Sequence, residues 1–410
     1  MKFKEYFSLK ELVIISFTFL SLIYSTSFHY ANSPPNDTFE PAQFLVHTSP
    51  KDGGDVNIAK YFHDYGFLYN ELFTNGSWPK EFHPRNITGW NDMWKSSAMS
   101  VDNAYYIMYA AYYAGLIDKI DYSIPGADLT MAVHKYRVLL PMIVGTISKI
   151  QKFSKSNYEW SEKYKSRIVY IYLVLNFIFI FTTAFLFLFF LINVFSFGKL
   201  LSIIGAILFI TLPLVSKSAG FPQAEPIALL LTLLIFISVY YKKKFYFVIL
   251  ALLGLMVKDL FIYTSVLWFF NFQFFKEKAI QKYIQHFIIS TLPIIFFILI
   301  RFYYSDGSGL ETRGTYDLLK GELPPFLMGS SIYYHLEKYF LAFTFLWAGI
   351  FNINKNDFLK RSSFTLIFLT FISFWIARGS GIERHVGLMY PIIIPLFLYF
   401  FKNIKDKESI

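Results

Sequence analysis

A chain of 410 residues that is 55% hydrophobic, 21% aromatic and only 16% charged has too little polar surface to clothe the two or three soluble domains its length would allow. The formal charge of +10 argues against nucleic acid as a partner, because Lys and Arg fall in short patches between apolar runs, as in proteins whose basic loops stay on one side of a membrane. The lack of cysteine excludes disulfides, a thiolate nucleophile and cysteine metal sites.

The first apolar run, residues 11–28, follows Lys2, Lys4 and Lys10. It is expected to be the first span, with the N-terminus cytoplasmic. The polar segment 29–135 comes next. It holds 12 Asp or Glu against 7 Lys or Arg, so 7 − 12 gives a net of −5. That sign is opposite to the basic patches and predicts an extracytoplasmic loop. A loop this long without structure of its own is uncommon, and two parts of it read as amphipathic or interfacial helices. One is 56–73, with Val56, Ala59, Phe62, Phe67 and Phe73 at roughly helical spacing; the other is the aromatic stretch 99–117. The second fits either a position in the interface or a further short span.

Two carboxylates of this loop are candidates for chemistry. Asp55 lies in DGGDV, where two glycines let the backbone turn tightly and bring a carboxylate toward a substrate. Such a group can act as a general base or hold a metal ion or a sugar hydroxyl; the alternative is a solvated turn. Asp102 opens the aromatic stretch, where burial of its charge would be costly, and a helix-capping role accounts for it equally well. His134 and Arg137 are three apart, hence on one helical face, and lead into YRVLLP. Arg137 at the outer mouth of a span suits the phosphate of a lipid, or only snorkels to the interface.

The second span, 136–150, returns the chain to the basic stretch 149–167. The third, 168–193, lies in a run of 30 uncharged residues from Ile168 to Phe197. Apolar stretches follow at 199–215, 222–240, 245–257, 260–273, 284–303, 333–351, 362–377 and 386–401. A crossing at 199–215 would put Lys242 to Lys244 on the wrong side. Reading 199–221 as a re-entrant pair on the outer face restores the alternation; the other remedy is that 99–117 also crosses. Pro213 and Pro226 flank SKSAGFPQAE, an irregular polar stretch that lipid would not tolerate but surrounding protein would. The expectation is an all-α polytopic membrane protein, one transmembrane domain over 1–410, with 136–401 supplying the helices after the loop. It has ten spans plus the re-entrant element, or twelve segments if that element counts as two, and both termini are cytoplasmic.

This topology gathers the polar clusters on the outer face. Glu225 stands at the start of a span, partly as ordinary acidic capping. Lys258 and Asp259 divide an otherwise apolar stretch from Phe245 to Phe275. Each charge at mid-bilayer would cost roughly 2.5–3.5 kcal/mol, which predicts two short helices meeting at the pair. The pair either serves a substrate or simply neutralises itself. Arg313 in GLETRGTYD and Arg378, Arg384 and His385 in RGSGIERH put positive charge on a face normally poor in it, which suits either a phosphate-bearing substrate or interface anchoring. No HExxH or comparable ligand spacing occurs, so no metal ligand is assigned, and a divalent-cation requirement stays open.

The order of these features resembles the polytopic glycosyltransferases of the GT-C structural class, including its bacterial members. The resemblance rests on an early acidic residue in GGDV after the first span, the aromatic DNAYYIMYAAYYA, and YRVLLP entering the second span. It continues through SKSAGFPQAEPIALLLTLLIF, ALLGLMVKDLFIYTSVLWF and the terminal ERHVGLMYPIIIPLFLYF. It covers nearly the whole chain through loose, apolar-rich motifs. It implies a GT-C-like bundle with a large helical first loop, in a bacterial inner membrane. It also implies transfer of a sugar from a polyprenyl-phosphate donor to a lipid-linked or glycan acceptor at the extracytoplasmic face. The resemblance maps the base onto Asp55 and phosphate binding onto Arg137, Lys258 and Arg384. The first loop lacks the adjacent acidic pair of simpler members. A repeat-unit polymerase shares the setting and the leaving group. A lipid-linked-sugar flippase would instead show an inverted repeat, which is not apparent here.

Overall fold

The computed structural model describes residues 6–32, 137–152, 162–220, 223–272, 280–304, 353–377 and 387–408, with Tyr106, Tyr109, Ala110 and 112–115. Every regular element among them is helical. That is the architecture of a polytopic helical membrane protein, in which apolar surroundings force each backbone group to find its partner inside its own segment.

In chain order the helices are α1 (Leu9–Asn32), α2 (Leu139–Ile150), α3 (Glu162–Phe195), α4 (Lys199–Thr211), α5 (Pro213–Ala219) and α6 (Glu225–Tyr240). They continue with α7 (Lys244–Leu255), α8 (Tyr263–Asn271), α9 (Ile280–Tyr304), α10 (Asp357–Ala377) and α11 (Tyr390–Glu408). Among the described residues, three apolar segments are long enough to cross a membrane: Leu9–Thr26, Tyr170–Phe195 and Ile280–Ile300. The first and third are only 17% and 22% buried against 56% for the second. The outer faces of α1 and α9 are therefore apolar surface for lipid, while α3 is largely covered by protein.

Local chemistry explains several boundaries. α1 opens on a reciprocal capping box: Glu11 accepts from the Ser8 N–H at 2.7 Å and Ser8 Oγ from the Glu11 N–H at 3.3 Å. α4 stops at Leu212, which is extended (φ −62°, ψ 136°) because the next residue is Pro213. Pro213 then starts α5, where its missing N–H costs nothing. The stretch expected to be irregular after Pro213 is thus helical as far as Ala219.

The chain divides into two compact units, one of residues 1–19, 180–215 and 227–410, the other of 20–179 and 216–226. The first unit has an aromatic centre of Phe190, Phe195, Phe236, Tyr240, Phe358 and Tyr399, joined by mainly edge-to-face contacts. The Tyr399 hydroxyl donates to the Phe195 carbonyl at 3.3 Å. α4 approaches α11 closely because Gly205 leaves room for Leu191 and Leu398. Lys199 pairs with Glu11 at 3.3 Å and lies over the Phe7 ring, tying the start of α1 to α4.

In the second unit the aromatic stretch of the first loop is part of the core. Residues 112 and 113 are helical, the turn closes at Gly115 (φ +73°), and Tyr106, Tyr109, Ala110 and Ala114 are buried. Gly145 of α2 meets this segment backbone to backbone. A Cβ there would lie 2.6 Å from Tyr113 Cβ and 2.7 Å from the Ala110 carbonyl oxygen. From α3, the buried Tyr172 hydroxyl donates to the Tyr106 carbonyl at 2.6 Å.

Candidate functional sites

Asp55, Asp102, His134, Arg313, Arg378, Arg384 and His385 lie outside the described residues, as do the helix expected at 56–73 and the span expected at 333–351. The described candidates fall into two groups. Arg137 and Glu225 belong to the second unit, Lys258 and Asp259 to the first.

In the first unit the interruption expected at Lys258–Asp259 is present. α7 ends at Leu255, and Lys258 is extended (φ −152°, ψ 139°). A single 3₁₀ turn, Asp259–Ile262, then leads into α8. The backbone stays paired across the gap: the Val257 and Lys258 N–H groups donate to the Gly254 carbonyl at 2.9 and 2.8 Å, and the Phe261 N–H donates to the Lys258 carbonyl at 3.1 Å. The Phe261 ring sits directly on Gly254, so a Cβ there would run into it. The break and the ring contact therefore coincide at Gly254.

Lys258 is 5% exposed and Asp259 9%, so both charges are held inside protein rather than toward solvent or lipid. Neither is without a partner. One turn on, the buried Tyr263 hydroxyl donates to Thr232 Oγ1 at 3.0 Å and Thr264 Oγ1 to the Phe261 carbonyl at 2.7 Å. Further along α8, Asn271 Nδ2 donates to Ser362 Oγ of α10 at 3.1 Å, while Arg361 donates to the Asn271 carbonyl at 3.2 Å. Between those levels Ser265 Oγ, Trp268 Nε1 and Thr365 Oγ1 are buried with no hydrogen-bond partner among the described residues. Polar groups therefore continue from the charged pair along α8 to Asn271 at its end.

In the second unit Glu225 is the first residue of α6 and is buried at 6% exposure. A capping acid would normally stay wet; this one is enclosed, and like Arg137 it has partners in the fold. Arg137 is half-buried, two residues ahead of α2. Asn176 of α3 is fully buried and its Nδ2 donates to the Ser218 carbonyl at 3.5 Å, at the end of α5. Sequence reasoning did not single out Asn176. Its signal was available: an amide in a run of uncharged residues is costly in an apolar helix unless it bonds a neighbour.

His286 was likewise not singled out. It is buried in the first unit, its ring stacked on Phe272 at 4.7 Å and tilted against Trp268 at 5.8 Å. Among the described residues no group of three or more His, Asp or Glu side chains is placed to hold a metal ion.

Comparison of the chain with protein-family models, with characterised proteins and with solved structures returns no match.

Proposed function

We propose that this protein is a membrane glycosyltransferase that moves a sugar from a polyprenyl-phosphate carrier to a lipid-linked or glycan hydroxyl. The observation that carries the reading is the buried Lys258–Asp259 interruption of an otherwise apolar helical stretch. A cation enclosed in protein at a helix break is expensive to keep. It becomes useful where a phosphate must leave with its negative charge in surroundings of low dielectric.

In the proposed reaction, a general base takes the proton of the acceptor hydroxyl. The acceptor oxygen bonds to the anomeric carbon as the bond from that carbon to the phosphate oxygen breaks. Polyprenyl phosphate leaves with the electron pair, and Lys258 offsets the charge developing on it. A single displacement inverts the anomeric centre.

The test uses the purified full chain in lipid nanodiscs with a panel of polyprenyl-phosphate hexoses, scoring released polyprenyl phosphate so that the sugar need not be known. Turnover above a protein-free control is expected, and Asp55→Asn should abolish it. Lys258→Met combined with Asp259→Asn removes both charges together, avoiding a lone buried carboxylate. That chain is expected to fold normally and lose roughly 10²–10³-fold in turnover, the usual scale for one preorganised electrostatic contact. Full turnover in the doubly neutral chain would show the pair to be structural only and remove the basis for this proposal.

A further inference from the structure

We infer that the corner of the first unit where α6 turns into α7, beside the start of α9, is a binding site for one anionic phospholipid. Lys242 and Lys243 hold its phosphate, and the exposed apolar residues just beyond take its acyl chains. This inference stands apart from the proposed transfer reaction and uses none of its residues.

The turn is tightly built. The N–H groups of Tyr241, Lys242 and Lys243 fold back onto the carbonyls of Ile237, Val239 and Ser238 at 3.0, 3.0 and 2.8 Å. Closing it this way puts Lys242 at φ +56°, the left-handed position after a helix that glycine normally fills. The chain keeps a lysine there, with its side chain exposed, and Lys243 beside it is exposed as well. Lys152 after α2 adopts the same left-handed conformation (φ +54°), so what sets this corner apart is the apolar face next to it and the neighbouring helix fixed beside it.

The next residue fixes the neighbouring helix. Lys244 Nζ donates to Gln285 Oε1 at 2.6 Å, tying the first turn of α7 to the start of α9. Lys282, three residues before Gln285 on α9, is also exposed. Immediately past the lysines the surface becomes apolar. Phe245 and Tyr246 of α7 are 72% and 61% exposed, and Ile284, Phe287 and Ile288 of α9 are each about half exposed. A rim of positive charge above uncovered rings and aliphatic chains matches a ligand with a negative head and a hydrocarbon tail. A soluble phosphate would leave the apolar face unused, a neutral lipid would leave the lysines unused, and a second copy of the chain would bring like charge against like.

The experiment is native mass spectrometry of the purified, delipidated full chain in a non-ionic detergent, titrated with phosphatidylglycerol and with phosphatidylcholine of the same acyl chains. The first phosphatidylglycerol should bind in clear preference to phosphatidylcholine. Removing each lysine should cost about fivefold, so Lys242→Gly with Lys243→Gln should lose about 25-fold. Lys242→Gly alone guards against a folding artefact: glycine suits the left-handed turn, so its melting temperature should hold or rise while affinity falls about fivefold. Lys149→Gln with Lys152→Gln, in the other unit, should leave the preference within about twofold. Equal retention of both lipids, an unchanged preference in the Lys242/Lys243 chain, or loss in the Lys149/Lys152 chain instead would each overturn the site. Displacement of the lipid by glycerol phosphate at matching concentration would overturn it as a lipid site, since the head alone would then account for binding.

Discussion

Gly254 is where one added methyl group tests the helix break that holds Lys258 and Asp259. A Cβ at this position would sit 2.5 Å from Cγ and 2.6 Å from Cε1 of Phe261, far inside the roughly 3.5–4.0 Å at which carbons rest. The Phe261 ring is fully buried and cannot swing out without displacing its neighbours. Overpacking of this kind costs about 1–3 kcal/mol. Alanine in place of glycine inside a helix returns up to about 1 kcal/mol, so Gly254→Ala should destabilise by about 0–2 kcal/mol net. Phe261→Ala alone opens a cavity and should cost about 3–5 kcal/mol. In that background the added methyl meets no ring, so Gly254→Ala should turn stabilising, by up to about 1 kcal/mol. The sign reversal corresponds to a coupling of about 1–3 kcal/mol, readable from a four-chain cycle of detergent-induced unfolding followed by far-ultraviolet circular dichroism. If Gly254→Ala costs the same with and without the Phe261 ring, the ring does not set the break and this account of how Lys258 is positioned is wrong.

Other substitutions probe the two units separately. Gly145→Ala should cost more than Gly205→Ala, by about 1–2 kcal/mol. The first would press on Tyr113 Cβ and the Ala110 carbonyl, which are fixed, the second on Leu191 and Leu398 methyl groups, which can rotate away; paired melting curves give the order, and the reverse order would contradict the close packing at Gly145. Tyr172→Phe removes the 2.6 Å bond to the Tyr106 carbonyl and should destabilise by about 0.5–1.5 kcal/mol. Tyr263→Phe removes the 3.0 Å bond to Thr232 Oγ1, with an expected loss of about 0.5–1.5 kcal/mol that Thr232→Val in the same chain should largely fail to increase.

What the sequence disclosed follows from which signals are local. Lys258 and Asp259 stand out because charge in an apolar run is costly wherever its partners lie, and the predicted break falls on them. Pro213 likewise announces a stop, through its effect on Leu212 alone. Yet the same proline invited the reading of the following residues as irregular, where they form α5. A proline ends one helix and begins another equally well. Contacts between distant residues left no such trace. Nothing in the order of residues says that Phe261 rests on Gly254, that Gly145 admits the backbone of Ala110, or that His286 stacks on Phe272. Each depends on a surface supplied by another segment. Burial of Glu225 belongs here too, since an acid at a helix start reads as a wet cap until its neighbours are known.

The charged candidates among the described residues nonetheless share one placement. Glu225 begins α6, Arg137 precedes α2, and Lys258 and Asp259 stand between α7 and α8. Helix ends are where backbone groups already lack partners inside the helix, so charge is least disruptive there and unpaired carbonyls and N–H groups are at hand to receive it. Economy of this kind would collect charges at helix ends in a membrane protein with no chemistry at all. Position therefore does not separate a structural pair from a functional one; only removal of both charges does. A structural pair replaced by neutral side chains of similar size leaves the fold as stable as before or more so, and with it any activity the fold supports. A lysine that meets a leaving phosphate takes turnover with it while the fold stands. The chain carrying Lys258→Met and Asp259→Asn therefore distinguishes the two by the direction in which stability and turnover part.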